Sequence, residues 1–351
     1  MNFFGKMNFG SASNDSEYYT IGITGSGGLV GTALRDELKK RDTVNGKPVR
    51  VVRLSRGDKA EQKELESAPE TTLVWNPNAD VASDVIDPSA LSDMDAIVHL
   101  SGENVATGMG PLGFLGIRPW TNEKKAEILN SRTIPTKALS KAVASIAKPQ
   151  TFVVASGVGV YGDKFIGESL AAVDESADTQ STEGFLANVS REWEAATEPA
   201  KSGRNRVVNA RFGVVLSKKG GAMAKLYPIF LLGGGGNVGS GDQYFSFISA
   251  RDHARALIHT LETPSLSGPV NFSAPNPCTN AEFTKALGSA IRRPTILPLP
   301  SFAVSLLFGE MGEEMLLGGV RAKPSKLVQS GFEFRHPTIQ EAVESALKED
   351  I

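Results

Sequence analysis

Thr24-Gly25-Ser26-Gly27-Gly28-Leu29-Val30-Gly31 divides one kind of local structure from another. Before it, Tyr18-Tyr19-Thr20-Ile21-Gly22-Ile23 is short, aromatic and β-branched, the composition of a buried parallel strand. After it, Leu29, Ala33, Leu34 and Leu38 recur at helical spacing. A strand, a glycine turn and a helix in that order point the free N–H groups of the helix start at whatever lies over the turn, and such groups attract an anion. Each spaced glycine has its own reason. Gly25 permits a tight bend, Gly28 leaves no Cβ between the backbone and a diphosphate, and Gly31 lets the helix pack closely on the strand. The stretch reads as the phosphate cradle of a dinucleotide site.

Outward from the cradle, Asn45-Gly46 makes a turn and Val49-Arg50-Val51-Val52-Arg53-Leu54 a second strand. In a doubly wound fold the end of that strand meets the adenine ribose, where a carboxylate accepts from a 2′-hydroxyl and an arginine neutralises a 2′-phosphate. Here Ser55-Arg56 follow, Arg53 is close, and no carboxylate comes before Asp58. NADP is therefore expected over NAD, with one charge-assisted contact contributing about 1.5–3 kcal/mol. A solvated loop arginine is the alternative.

Further strands are expected at Thr71–Trp75, Asp95–Leu100, Thr151–Ser156, Arg206–Leu216, Tyr244–Ile248 and Val270–Phe272. Helices are expected at Asn122–Ser145, kinked at Pro135, at Gly184–Ala200, at Ala222–Leu232, from Arg251, and at Asn280–Ile291. Polar Glu61–Pro69 reads as a linker or a helix, the Gly/Pro-broken stretch Thr107–Trp120 as a loop, and Gly233–Gly236 as a lid hinge or a plain loop. The alternation predicts an α/β protein: a doubly wound parallel-sheet Rossmann fold with a smaller, mostly helical C-terminal lobe over the cofactor edge.

With 351 residues and a formal net charge of −2, the chain can bury a large core and carries no overall field favouring nucleic acid or a membrane surface. Its longest apolar run, Phe302–Phe308, is far too short to span a bilayer. The single cysteine, Cys278, forbids an internal disulfide, suits a reducing compartment, and reads as a small buried filler. The first seventeen residues are Gly/Ser/Asn-rich without a secretory apolar core, and are expected to be disordered. His99 lies inside a strand pattern and is expected to be packed and satisfied. No metal site is expected.

Several stretches together resemble one family. They are Thr24–Gly31, Leu54-Ser55-Arg56, Leu100-Ser101-Gly102-Glu103-Asn104, Asn130-Ser131-Arg132, Trp193-Glu194-Ala195-Ala196, Arg211–Leu216, Gly220-Gly221-Ala222-Met223, Gly239-Ser240-Gly241-Asp242-Gln243, Asn280-Ala281-Glu282-Phe283 and Leu297-Pro298-Leu299-Pro300. The chain is similar to atypical, extended short-chain dehydrogenase/reductases of the epimerase family, whose plastid members resemble the giant chloroplast division protein. The resemblance implies an NADP-binding Rossmann domain over 18–296, after a disordered 1–17, and a family-specific C-terminal domain over 297–351. It implies cofactor contacts from Gly25, Gly27, Gly28, Leu29, Val30 and Gly31, from Ser55 and Arg56 on the 2′-phosphate, and from Leu100, Glu127, Arg132 and Val215.

Extended reductases transfer a proton through a Tyr-x-x-x-Lys pair beside a Ser or Thr at the end of the fifth strand. The alignment puts Leu186 at the tyrosine and Ser190 at the lysine, and Gly157 at the usual serine with Ser156 one residue earlier. Tyr161 and Glu103 are the candidate substitutes, with Ser156; packing beneath the cofactor and loop anchoring are their ordinary alternatives. The family's Trp and His within Phe245–Asp252 are replaced by Phe247 and Ser249. Two functions follow. One is an NADP-dependent oxidoreductase or epimerase acting on a small carbonyl or sugar-like substrate, in cytoplasm or plastid. The other is an NADPH-binding scaffold with little turnover that serves a protein partner, as in plastid division. The oligomeric state is left open.

Overall fold

A computed structural model of the chain describes residues 17–56, 70–105, 119–162 and 172–348. Nearly all of the N-terminal segment, Asp58, Glu61–Pro69 and most of Thr107–Trp120 lie outside them. In chain order, β1 (Tyr19–Thr24) runs into α1 (Leu29–Lys39), and β2 (Thr43–Val44) turns at Asn45 and Gly46, both at positive φ, into β3 (Lys47–Arg56). Then come β4 (Glu70–Trp75), α2 (Ala82–Val85), α3 (Pro88–Ser92), β5 (Ala96–His99), α4 (Asn122–Ala144), β6 (Thr151–Gly157), a 3-10 turn at Val158–Tyr161, α5 (Phe185–Ala195), α6 (Glu198–Lys201) and β7 (Arg206–Phe212). Next are β8 (Val214–Leu216), α7 (Gly221–Leu231), β9 (Tyr244–Phe245), β10 (Phe247–Ser249), α8 (Ala250–Glu262), β11 (Gly268–Phe272), β12 (Cys278–Thr279) and α9 (Asn280–Ala290). Last are α10 (Ser301–Gly312), a π-helical turn at Glu313–Leu317, α11 (Ser325–Gln329) and α12 (Ile339–Lys348).

The main sheet has eight strands in the order β11-β7-β6-β5-β1-β3, with both β4 and the short β2 on β3. Every pairing is parallel except β2 with β3. The first crossover leaves β1 for β3 and a later one returns to β1 on its other side with β5, so the winding reverses between β1 and β5. Ligands collect at the carboxyl end of such a switch point.

Period-two alternation sends side chains to both faces. Ile21, Ile23, Val51, Val98, Val153 and Val208 pack on Leu34 and Leu38 of α1 and Leu257 and Leu261 of α8. Val52, Leu54, Ile97, Phe152 and Val154 pack on Leu139 and Val143 of α4 and Trp193 of α5. Both faces are covered, which is why these strands read as continuous apolar runs. Pro135 sits within α4, which runs as one helix from Asn122 to Ala144. The C-terminal helices are distributed over the body: Leu327 joins the first core, and Ala342 and Val343 of α12 join Phe283 and Leu287 of α9 in another.

The structure differs from the sequence expectation at the sixth strand. Arg206–Leu216 is not one strand; it breaks at Gly213, where a Cβ would stand 2.8 Å from the Ser246 carbonyl oxygen. Within one residue the hydrogen bonding passes from Gly213 N on Phe272 O to Val214 N on Ser246 O, and β8 leaves the main sheet to pair with β10. Tyr244–Ile248 divides correspondingly, β9 pairing with β12 and β10 with β8. The glycine run is a packed loop: Leu297 N donates to Gly235 O at 3.1 Å, and a Cβ on Gly235 would meet the Phe230 ring at 2.7 Å. Among the described residues no helix is long and apolar enough to cross a membrane, and no His/Cys/Asp/Glu group is placed to hold a metal.

Candidate active site

The turn after β1 is built by exclusion. Gly25 has φ +64°, and a Cβ there would lie 3.0 Å from the Leu100 carbonyl carbon and oxygen. Gly31 is more crowded: its Cβ would lie 2.4 Å from Gly25 O and 2.7 Å from Ser26 Cα, so the first turn of α1 rests directly on the loop backbone. Gly28 caps the helix with no side-chain acceptor, and the first amide to find a helical carbonyl is Thr32 N on Gly28 O at 2.8 Å. The amides of Leu29, Val30 and Gly31 precede it, have no intrahelical carbonyl to reach, and belong to residues that line the cleft. At the switch point Thr24 Oγ1 accepts from Leu100 N at 3.0 Å and meets His99 Nδ1 at 2.8 Å, fixing the ends of β1 and β5 together. Burial drops the His99 pKa to about 3, so the ring is neutral; its Nε2 has no hydrogen-bond partner among the described residues, and the histidine is only half satisfied.

The cleft above this turn is about 370 Å³. Its floor is the Gly25–Gly31 turn with Leu100 and Gly102, one wall is Ala155, Ser156, Gly157 and Gly159 at the end of β6, and the other is Leu186, Val189, Ser190 and Trp193 of α5. Spacings of four keep Leu186 and Ser190 on one face of that helix. A Cβ on Gly159 would touch the Leu186 Cβ at 3.4 Å, and one on Gly157 the Ser190 Oγ at 3.6 Å. Arg132 is the single titratable side chain among the described lining residues. Burial lowers its pKa to about 10, which leaves it cationic at neutral pH. Its Nη1 and Nη2 donate to the Ile128 and Glu103 carbonyls, both at 2.9 Å, and its guanidinium lies 5.0 Å from the Trp193 ring centroid.

Behind the β6 wall runs a buried polar chain. Ser156 Oγ donates to Glu194 Oε1 at 2.8 Å, and Glu194 takes Arg211 Nε and Nη2 at 2.8 and 2.9 Å. Arg211 Nη1 donates to the Tyr161 hydroxyl at 3.0 Å, which donates to Asn271 Oδ1 at 2.8 Å. Burial works against the Arg211 charge, but Glu194 outweighs it and the pKa is raised. Since the Ser156 proton is committed to a carboxylate, its lone pairs are what it offers the cleft.

Residues 21–272 match the NAD dependent epimerase/dehydratase family, and residues 299–346 match a domain of unknown function, DUF1731. The chain belongs to the NAD dependent epimerase/dehydratase family. Among curated relatives, the epimerase family protein Mb2239 of Mycobacterium bovis is 44% identical over 323 residues, 92% of this chain and 96% of the relative. The Arabidopsis thaliana SDR39U1 homolog, described as chloroplastic, is 32% identical over 343 residues, 96% and 89% of the two chains. The crystal structure of human epimerase family protein SDR39U1 (isoform 2) with NADPH is similar at TM-score 0.75 and 30% identity, covering 94% of this chain and 100% of that one. The family resemblance read from the sequence is thus borne out.

Of the residues expected to serve this epimerase-family site, Gly25, Gly28, Leu29, Val30, Gly31, Leu100, Arg132 and Ser156 line the cleft. Gly27 abuts it in the turn, where a Cβ would meet nothing within 4 Å. Ser55 and Arg56 stand at the carboxyl end of β3 beside the turn, and Arg53 Nε reaches Ser26 Oγ at 3.3 Å. Val215 packs beside Ala33, Ala250 and Ala254 instead of lining the cleft, and Glu127 is exposed and paired with Lys124 at 3.0 Å. Two catalytic expectations need correction. Tyr161 is buried away from the cleft between Arg211 and Asn271, and burial pushes its pKa up to about 12, so it does not present a phenol to a ligand. Glu103 does not line the cleft; its carboxylate is held by Lys124 at 2.9 Å.

Two carboxylates that shape the cleft walls were given no role by the sequence reading. Glu194 follows Leu186 and Ser190 by further steps of four, so its face was readable, but its partner 17 residues on was not. The other is Glu314, whose Oε1 and Oε2 accept from Phe185 N at 2.6 Å and Leu186 N at 2.8 Å. A carboxylate from the C-terminal segment therefore caps the helix that forms one wall, where Gly184 supplies no cap of its own. Glu314→Ala is expected to destabilise the protein by about 1–2 kcal/mol, read as a lower urea midpoint, while Glu314→Gln, which keeps one acceptor, should lose less.

Proposed function

We propose that this epimerase-family protein binds NADP(H) in the cleft and acts as an oxidoreductase on a small carbonyl or hydroxyl substrate without a Tyr-x-x-x-Lys pair. The observation that carries the reading is the turn at Gly31, where a Cβ would collide with backbone and where uncapped amides open onto the cavity. The α1 amides would hold the diphosphate, Arg132 would add a charge near it, and Ser55, Arg56 and Arg53 would hold the 2′-phosphate. When bound, the nicotinamide supplies or accepts hydride. Leu186 and Val189 would exclude water beside the ring, and Ser156 would accept a hydrogen bond from a substrate hydroxyl. With leucine and serine where a phenol and an ammonium would stand, proton transfer falls to water or to the substrate. A reducing compartment, cytoplasm or plastid, belongs to the same proposal and rests on the single, buried Cys278.

The test is to purify the protein, assay bound NADP(H), and screen carbonyl substrates by loss of reduced-nicotinamide absorbance. Turnover that Ser156→Ala reduces supports the reading; tight cofactor with no turnover across a broad panel overturns its catalytic half. For cofactor choice, Arg56→Ala should weaken NADPH by about ten- to a hundredfold while NADH changes little. Equal weakening of both would remove Arg56 from the 2′-phosphate.

A further inference from the structure

Between α1, α8 and the C-terminal segment lie two cavities, of about 340 and 500 Å³, that share Glu37, Lys40 and Arg251 and so form one groove. The larger end is lined by Glu37, Lys40, Arg41, Arg251, Arg255 and Arg335, with Glu37 paired to Lys40 at 3.7 Å and four arginines beside them. None of the residues of this end lines the cofactor cleft.

The cationic wall is organised from within. Asp252 is 0% exposed, and its carboxylate accepts from Arg255 Nη1 at 2.7 Å, from Arg335 N at 3.1 Å and from His336 N at 2.8 Å. One buried carboxylate thereby fixes the Arg255 guanidinium and the backbone that carries Arg335 on the same side of the groove. Arg255 also donates to Glu333 O at 2.9 Å, and Arg41 is paired with Glu262 at 2.9 Å. The Arg251 and Arg335 guanidiniums have no hydrogen-bond or ion-pair partner among the described residues. The other cations of this end already have carboxylate partners, and Arg251 and Arg335 stand exposed beside them with like charge and no described residue to neutralise it. Guanidinium forks match phosphate oxygens two at a time, and two uncommitted forks call for two anionic groups.

We propose that this end of the groove binds a small soluble diphosphate, at a site separate from the cofactor's. The probe is inorganic pyrophosphate, titrated calorimetrically into the full chain in the absence and then in the presence of excess NADPH. Pyrophosphate should bind in both cases, and more tightly than sulfate at equal ionic strength. Arg251→Ala with Arg335→Ala should weaken it by about tenfold or more and leave NADPH affinity within about twofold. Sulfate binding as well as pyrophosphate would reduce the groove to a non-specific cationic surface and overturn the proposal. Loss of binding on adding NADPH would place the anion in the cofactor cradle, and unchanged binding in the double variant would place it elsewhere; either result overturns the proposal. Absence of NADPH binding would defeat the proposed function while leaving the pyrophosphate titration, and this inference, to stand alone.

Discussion

Gly31→Ala should weaken NADPH binding by about a hundredfold, close to 3 kcal/mol, the upper range for forcing an added carbon into packed surroundings. The added methyl would meet Gly25 O at 2.4 Å, Ser26 Cα at 2.7 Å and Ser26 C at 2.9 Å, all backbone atoms with no side-chain torsion to relieve them. Either α1 moves off the turn or the turn opens, and in both cases the amides at the helix start lose their common aim. Helix propensity works the other way, because alanine is favoured over glycine inside a helix by about 1 kcal/mol, so the fold need not suffer as the site does. The comparison that isolates the effect is Gly27→Ala, whose Cβ meets nothing within 4 Å. Fluorescence titration of reduced cofactor should show the first variant crippled and the second near the parent. Parental affinity in Gly31→Ala would remove the turn from the binding site.

Arg211→Met should cost about 3–5 kcal/mol of folding stability, the range for breaking a buried ion pair by removing one partner. The guanidinium supplies three hydrogen bonds within 3.0 Å, two to Glu194 and one to Tyr161, and its removal leaves the Glu194 carboxylate with Ser156 alone among its described side-chain partners. Pairing Arg211→Met with Glu194→Gln should recover part of the loss, because the stranded charge goes as well; neighbours that share a network are not additive. Urea denaturation of the two single variants and the double measures both the loss and the recovery. A deficit under about 1 kcal/mol for Arg211→Met, the scale of an exposed pair, would show that the chain behind β6 is solvated in solution.

The sheet was legible because its strands are buried on both faces. Ala96–His99 and Phe152–Ala155 leave no polar alternation to misread, and the order of strands and helices then fixes the winding. The break at Gly213 was not legible, since a glycine in a strand signals only a close approach, and the atom approached, Ser246 O, lies 33 residues on in sequence. The cradle was readable from spacing because its contacts are local. Tyr161 misled for the converse reason: a tyrosine just past β6 has the chemistry of a donor, and only its tertiary partners, Arg211 and Asn271, reveal a structural hydroxyl. Leu186 and Ser190, which the alignment set at the tyrosine and lysine positions, both line the cleft because they lie on one helix at a fixed step.

The carboxylate of Glu314 ties together two parts of the chain separated by more than a hundred residues of sequence. The start of α5 and the turn at Glu313–Leu317 are consequently coupled. Anything that stiffens the α5 wall, a molecule held against Leu186 included, lowers the entropy still to be lost by the distant turn, and an event that loosens the turn raises the cost of occupying the wall by the same amount.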